Sequence, residues 1–367
     1  MKNRPWLSII IPCHNSCNTI GATLESIVTQ GIDKELLEII LVDDDSNQPY
    51  TSVIDKYRGR LNIIDTKTDV KVHCPGNTRQ AGMQYISGEW LTFIDHDDIF
   101  ESGSFKKIRS IIKQKGEKTF VFTNLREYDL QRKQYINFNS GSMSKTWLHG
   151  KFYSVDNLIR KYNIHFCNDL TSHEDLYFNQ MVFGCLEAIG YEIKQYSAIY
   201  TYRWNAHPES LSRSWQSKTG HTYLEYYFED YLLALQAPYA NLIKQFGMVD
   251  AYKANMMSEV VYCYLYMQSF KFIELYSKQP RLERNDAAAK RFIQNVIKFC
   301  KLTPELLIEC MIMNVSNYNK IRFESFSAIG LIVETEGIGD FIWNYSGAAE
   351  YVQAKPQIYV PGRVALT

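Results

Sequence analysis

Apolar runs and apolar stripes alternate along the first half of the chain, and their spacing switches between two and about 3.6 residues. Leu7-Ser8-Ile9-Ile10-Ile11-Pro12 is a nearly continuous β-branched run, the pattern of a strand buried on both faces of a parallel sheet. Asn18 or Thr19 then caps a helix that carries Ile20, Leu24, Ile27 and Val28 on one stripe. A second strand, Leu37 to Val42, ends in Asp43-Asp44-Asp45-Ser46, and a short helix through Val53, Ile54 and Tyr57 leads to a third, Leu61 to Ile64. After Cys74-Pro75-Gly76 comes a helix with Ala81 and Met83 to Ile86, followed by the strand Trp90 to Ile94. This alternation predicts βαβ units in an α/β fold with a mostly parallel, doubly wound sheet and helices on both faces.

Downstream, a helix starts near Ser102-Gly103-Ser104, a strand covers Phe120 to Thr123, and Asn137 to Lys145 reads as a polar loop. Trp147 to Tyr153 precedes a helix from about Val155 to Tyr162. Ser172-His173-Glu174-Asp175 opens another helix through Leu176, Phe178, Met181 and Phe183, and Tyr200 to Trp204 reads as an edge strand. From His221 to Cys310 the period is almost wholly helical, with breaks near Pro238, Gly247, Pro280 and Pro304. The tail from Ser325 holds short strand-like fragments. The expected division is an α/β domain over residues 1–215 and a mainly α-helical one over 216–367.

Charge adds exclusions. Lys and Arg number 40 against 40 Asp and Glu, so no net field draws the chain to nucleic acid or an anionic membrane. Lys106-Lys107 and Arg132-Lys133 read as solvated faces. Eight scattered cysteines suggest reduced thiols, and the Cys13-His14…Cys17 cluster with His73-Cys74 fits no closed zinc spacing. No apolar run approaches the roughly 20 residues that span a bilayer, so a cytoplasmic protein is expected. The 26 tyrosines suit packed helices, interfaces or sugar-stacking surfaces.

The candidate chemistry lies at strand ends. In open α/β sheets, ligands bind beyond the carboxyl ends of the strands. Those ends are Pro12-Cys13-His14-Asn15, Asp43 to Ser46, and Asp95-His96-Asp97-Asp98. Asp95 and Asp97 project to one side while strand geometry lasts, and two carboxylates that close call for a cation such as Mg²⁺ or Mn²⁺ bound with phosphate oxygens. No Gly-x-Gly-x-x-Gly or Gly-Lys-Ser/Thr phosphate loop is present. Taken singly, the acidic ends could cap turns or helices, and Glu174-Asp175 suits a helix N-terminus through the macrodipole.

The order of these motifs from Pro5 to Arg213 resembles glycosyltransferase family 2, inverting transferases of the GT-A fold that use nucleotide sugars. Ser8 to Asn15 is similar to the family's opening strand and Pro-x-x-Asn end, Ile40 to Ser46 to its Val-Asp-Asp-Gly-Ser turn, and Phe93 to Asp98 to its Asp-x-Asp motif. Asn77 to Gly82 resembles the Arg-Asn-x-Gly helix start with Gln80 for Asn, and His96 stands where a small residue is usual. Gly150 to Tyr153, Glu174-Asp175 and His207 to Arg213 follow in family order.

The resemblance implies a role for each matched position. Asp44 would accept from the uracil imide of a UDP-sugar, His14 would stack on the base beside Pro12 and Asn15, and Arg79 would contact the base or diphosphate. Asp95 would meet ribose and metal, Asp97 would bind the metal, and Asp175 would be the general base, with Glu174 beside it. His207, Ser210 and Arg213 would close over the diphosphate, His207 near the metal. The implied cofactor is a divalent metal, Mn²⁺ or Mg²⁺, and the acceptor a glycan or lipid-linked glycan of the cell envelope. A lipid-linked acceptor would place the protein peripherally at the inner face of the membrane. The segment Asn137 to Lys145 could lie over the acceptor, and the C-terminal helices could form a homo-oligomer interface or acceptor platform. The alternatives are an inactive transferase-like binding subunit and a metal-dependent phosphotransferase or nuclease. The latter would need more close metal ligands and a basic track.

Overall fold

The computed structural model describes residues 4–69, 72–115, 120–139, 146–206, 227–247, 287–288 and 291. The expected features at His207 to Arg213, the loop residues 140–145, most of the helical C-terminal part and the tail from Ser325 lie outside them. The chain divides into two units, one of Met1–Gly220 with Leu233–Leu242, the other of His221–Leu232 with Ile243–Thr367.

The first unit is built on a nine-stranded sheet among the described residues, ordered β3-β2-β1-β4-β8-β6-β9-β5, with β7 paired to β6. Strands β1 (Leu7–Cys13), β2 (Leu37–Asp43), β3 (Ile63–Lys67) and β4 (Trp90–Phe93) pair in parallel. Every residue of β1, β2 and β4 is buried, as the apolar runs predict for strands covered on both faces. Beyond β4 the pairing becomes mixed. Strand β8 (Lys151–Ser154) runs antiparallel to β4 and to β6 (Phe120–Asp129). β9 (Gln195–Ala206) is parallel to β6 and antiparallel to β5 (Ile99–Phe100), while β7 (Gln134–Asn139) is antiparallel to β6. Parallel pairing thus holds from β3 to β4 and gives way where β8 joins.

Pro12 is tolerated within β1 because it lies beyond the last β1–β4 pair, Ile10↔Phe93. The Ile10 carbonyl takes the Ile94 amide at 3.3 Å, so the missing Pro12 N–H faces a flank that β4 has already left.

Four helices cover the sheet early in the chain: α1 (Ile20–Val28), α2 (Thr51–Ile54), α3 (Pro75–Met83) and α4 (Ser104–Lys115). α5 (Glu174–Ala188) and α6 (Phe228–Phe246) follow, with a π-helical segment at Val155–Arg160. Several expectations shift. The third strand starts later than Leu61 and runs into polar Asp65-Thr66-Lys67, because it is the outermost strand and only partly covered. Asn137 to Asn139, expected in a loop, close β7, where pairing with Glu127, Arg126 and Leu125 overrides the polar character of the two asparagines. Tyr200 to Trp204 is internal, since β9 has neighbours on both sides. Pro238 does not break α6, which runs through it to a left-handed Gly247 at φ 65°. A proline inside a helix removes one i→i−4 bond and disfavours the turn before it, yet Leu235, Tyr239 and Leu242 around it are buried, and that packing overrides the local preference.

Two packed layers hold the frame. The core beneath α1 and α4 joins Ile9, Ile11, Leu24, Ile27, Ile39, Leu41, Phe105 and Ile108. The other face carries an aromatic cluster in which Phe93 meets Tyr153, Phe166 and Phe178 edge-on at 6.0, 5.5 and 5.5 Å. This cluster pins α5 against β4 and β8, and so sets where the start of α5 emerges.

Candidate active site

The carboxyl ends of β1 and β2 form two interlocked turns. Asn15 and Asp45 take left-handed backbone, φ 50° and 55°, a region that Asn and Asp enter more readily than other side-chain-bearing residues. The Asp44 amide donates to the Cys13 carbonyl at 2.8 Å, the Asn15 amide to Ser46 Oγ at 2.9 Å, and the Asn47 amide to Asn15 Oδ1 at 2.9 Å. His14 is fixed through its ring edge, Nδ1 donating to the Asp44 carbonyl at 2.7 Å and Nε2 accepting from Asn15 Nδ2 at 2.9 Å. His14 and Asn15 are exposed and Pro12 and Asp44 are buried, so the turns present a rigid, partly open floor.

The end of β4 is held from several sides. Thr23 Oγ1 lies 2.7 and 2.8 Å from the carbonyls of His96 and Asp98. His96 Nδ1 meets Thr19 Oγ1 at 2.8 Å. His96, unexplained by its motif, therefore ties the acidic turn to the start of α1. Asp98 is buried and structural: Tyr202 Oη donates to its Oδ2 at 2.5 Å and the Asn205 amide to its Oδ1 at 2.7 Å. Burial, then the Asp97 and Asp95 charges, push its carboxyl well above the usual range. Asn205 Nδ2 also donates to the Asp97 carbonyl at 2.5 Å.

Arg79 joins this turn to α5. It lies on α3, whose start is capped by Cys74 Sγ accepting the Asn77 amide at 3.4 Å, with Pro75 in the first turn. Arg79 Nη2 donates to Asp95 Oδ1 at 2.7 Å, and Nη1 to Glu174 Oε1 at 2.9 Å and Asp175 Oδ1 at 3.0 Å. The guanidinium side chain is only 5% exposed, and its Nε is buried without an acceptor. One face of α3 carries Gly76 and Arg79 three residues apart. A Cβ at Gly76 would lie 2.6 Å from Glu174 Cβ, so glycine there lets α5 close onto the guanidinium. Gly76→Ala is expected to cost about 1–3 kcal/mol by overpacking, outweighing any gain in helix propensity of about 1 kcal/mol; denaturant unfolding would measure it, and an unchanged midpoint would refute the close-packing role. Gln80, the departure beside Arg79, accepts the Phe166 amide at 2.8 Å and so anchors a loop.

The charges in this cluster diverge. Burial opposes ionisation of Asp95, but Arg79 and then His149 outweigh it and hold the carboxyl well below its usual range. Burial pushes Asp175 up to about 6 against the pull of Arg79, with Glu174 adding to the rise. Two carboxylates on one guanidinium thus have opposite tendencies, an arrangement suited to one fixed anion and one proton acceptor.

His149 is the site residue that its sequence context did not reveal. Its Nε2 lies 3.7 Å from Asp95 Oδ2, and its Nδ1 is buried without a partner. The ring packs on Tyr202 at 4.3 Å, with Trp147 at 5.8 Å. Gly150, at φ 71°, makes the turn after it, where a Cβ would meet the Thr123 carbonyl at 3.0 Å. Beneath, the Trp147 carbonyl accepts from Asn179 Nδ2 at 2.9 Å and from the buried Lys151 Nζ. Burial lowers Lys151 to about 7, opposed by the Asp175 charge.

The donor set fits a hard divalent cation. Asp95, Asp98 and His149 offer ligand atoms that all lie within 4.8 Å of one another; the carboxylates suit Mn²⁺ or Mg²⁺, and an imidazole ligand favours Mn²⁺ of the two. Asp98 is already engaged by Tyr202 and Asn205, which leaves Asp95 and His149 as the better-placed pair. Asp97 sits in the same turn, and the other expected residues, His207, Ser210 and Arg213, lie outside the described residues.

A sheet with parallel strands at its head, acidic strand ends and a helix-borne carboxylate facing them is the architecture of the GT-A fold. Two solved structures share it at 16% identity: S. aureus TarS 1–349 in complex with UDP, with a TM-score of 0.52 over 99% of this chain and 95% of that one, and the same protein in complex with UDP-GlcNAc, with a TM-score of 0.51 over 95% and 92%. Residues 8–171 match the family model described as Glycosyl transferase family 2; that segment is a glycosyl transferase family 2 domain. Among curated relatives, poly(ribitol-phosphate) beta-N-acetylglucosaminyltransferase TarS of Staphylococcus aureus is 29% identical over 29% of this chain and 19% of its own length. Poly(ribitol-phosphate) beta-glucosyltransferase of Bacillus spizizenii is 34% identical over 26% and 15%. The minor teichoic acid biosynthesis protein GgaA of Bacillus subtilis is 24% identical over 59% and 51%. The chain thus spans less than a fifth of the length of the first two relatives. Among the described residues no helix is long and apolar enough to cross a membrane.

Proposed function

We propose that this chain is an inverting glycosyltransferase, moving a sugar from a UDP-sugar to a hydroxyl of a glycan or lipid-linked glycan acceptor of the cell envelope. The observation that carries the reading is the convergence of Asp95, from the acidic strand end, and Asp175, from α5, on the Arg79 guanidinium. The activities of the TarS and B. spizizenii relatives, and the UDP and UDP-GlcNAc of the TarS structures, support the reaction class and the donor.

In this reading Asp44 accepts from the uracil imide, and the exposed His14 offers a ring face to the base above the Pro12–Asn15 turn. Asp95, Asp97 and His149 hold the divalent cation, with His207 from beyond β9 as a further expected ligand. A bound cation would neutralise charge developing on the departing diphosphate. Arg79, held beside Asp95 through Nη2, contacts the base or diphosphate, and Ser210 and Arg213 belong to the segment that closes over the diphosphate. Asp175 takes the proton of the acceptor hydroxyl, which needs a base within hydrogen-bond reach and titrating near the working pH. Direct attack by that hydroxyl inverts the anomeric centre in one step. Glu174 shares Arg79 and keeps Asp175 in place.

Calorimetric titration with UDP tests the donor half. Binding should require Mn²⁺ or Mg²⁺ and be lost with a chelator, and Asp97→Asn should weaken metal-dependent binding by at least about 10-fold, the lower end of what losing even an outer-shell partner costs. UDP affinity that ignores both metal and Asp97 would sink the metal-assisted reading.

A further inference from the structure

We infer that His73, with Thr68, is a positioning residue that sets the nucleobase selectivity of Asp44. The inference rests on the proposed donor site and deepens it, since neither residue belongs to a motif with an assigned role.

Asp44 sits at the end of β2 with its side chain only 10% exposed. His73 Nδ1 lies 2.7 Å from Asp44 Oδ1, and Thr68 Oγ1 donates to the same oxygen at 3.1 Å. A carboxylate is symmetric and can turn about its last bond, so an isolated Asp44 would present either oxygen, in a broad range of orientations, to a ligand. Two donors on one oxygen remove that freedom. Thr68 is fixed in turn, because its amide donates to the Asp43 carbonyl at 2.9 Å where β3 leaves β2. His73 comes from the segment that leads into α3, so two separately anchored donors share Oδ1. Oδ2 is the atom left to read a base.

The electrostatics of the contact agree with the geometry. The hydrogen bond to Asp44 and then the Asp44 charge raise the His73 pKa above its ordinary value, so the imidazole is held in the cationic form over a wider pH range. The His73–Asp44 pair is then close to neutral overall, and a ligand meets an oriented acceptor rather than a bare negative charge. Such an acceptor fits a base that offers a ring N–H, as the uracil imide does. It opposes cytosine, whose ring nitrogen at that position is itself an acceptor, so two lone pairs would face each other.

His73 is half exposed, at 51% of its side chain, so its removal should leave the fold intact. The test is calorimetric titration of the full chain with UDP and with CDP in the presence of Mn²⁺. His73→Ala should weaken UDP about tenfold, the size expected for losing one charge-assisted bond that fixes an acceptor, and should narrow the ratio of UDP to CDP affinity. His73→Gln, whose amide can donate to the same oxygen, should bind UDP within about threefold of the parent, since a neutral donor retains the orientation but loses charge assistance. Thermal midpoints should stay together across the series. UDP affinity unchanged in His73→Ala would overturn the inference, and so would a His73→Gln variant as weak as the alanine one. Equal losses for UDP and CDP would also overturn it, because they indicate a general loosening. Asp44→Asn separates the inference from the reading beneath it. If Asp44→Asn binds UDP like the parent, Asp44 does not read the base at all; if Asp44→Asn fails while His73→Ala does not, only the positioning role falls.

Discussion

Asp175→Asn should lower turnover from UDP-sugar to acceptor by about 10²- to 10⁴-fold, the range for losing a positioned general base, with UDP and metal binding retained. Asparagine is nearly isosteric and still accepts from Arg79 Nη1 through its carbonyl oxygen, so the geometry of α5 should persist. The pH dependence follows from the raised carboxyl. Only ionised Asp175 can take a proton, and its pKa stands at about 6 against an ordinary 3.8. Activity should therefore fall as pH drops through about 6. The sign for stability is opposite to that of an ordinary salt-bridged aspartate. A folded value above the unfolded one favours the folded chain below pH 3.8, and that contribution is lost as pH rises through about 6. Steady-state rates across pH and a UDP titration of the variant check both points. Loss of UDP binding in Asp175→Asn would place the residue in the donor site and not opposite it.

Arg79→Met should have the largest effect on stability, about 3–5 kcal/mol, because removing one partner of a buried pair leaves its charges uncompensated. Here three carboxylates lose one cation. Arg79→Lys should fall between, since an ammonium lacks the fork that reaches Asp95 on one nitrogen and Glu174 with Asp175 on the other. Of the three carboxylates, Asp175 is the one whose raised pKa Arg79 restrains, so the acid limb of the rate profile should move to higher pH in whatever Arg79→Met remains folded. A variant with parental stability would mean that the guanidinium is dispensable to the cluster.

Much of the frame is legible in the amino-acid sequence. The apolar runs at β1, β2 and β4 are long, β-branched and covered on both faces, so periodicity alone finds them, and the polar residues at their ends mark the site. The third strand lies later than its apolar residues predict because half of it is polar and edge-exposed, where burial leaves no imprint on sequence. The internal position of β9 has no local signature, because strand neighbours beyond β4 come from distant parts of the chain. His96 and Gln80 look like departures from a motif, and each serves a tertiary contact, with Thr19 and with the Phe166 amide. His149 illustrates the limit most clearly. It sits in an aromatic run without a spacing that denotes a ligand, and only the pairing of β8 with β4 and β6 brings its turn to Asp95.

The contact between Gly76 and Glu174 bears on how this protein can be cut and recombined. The segment that matches the family model ends at residue 171, three residues short of Glu174, the first of the two α5 carboxylates on Arg79. A fragment closed at that boundary would keep Asp95 on Nη2 but leave Nη1 without its two carboxylates. A hybrid that joins residues 8–171 to a foreign second half would need an acidic pair on a helix able to nest against a glycine. The proposed base and the carboxylate that packs on Gly76 share one guanidinium, so modular exchange at the family boundary should disturb the fold and the proposed site together.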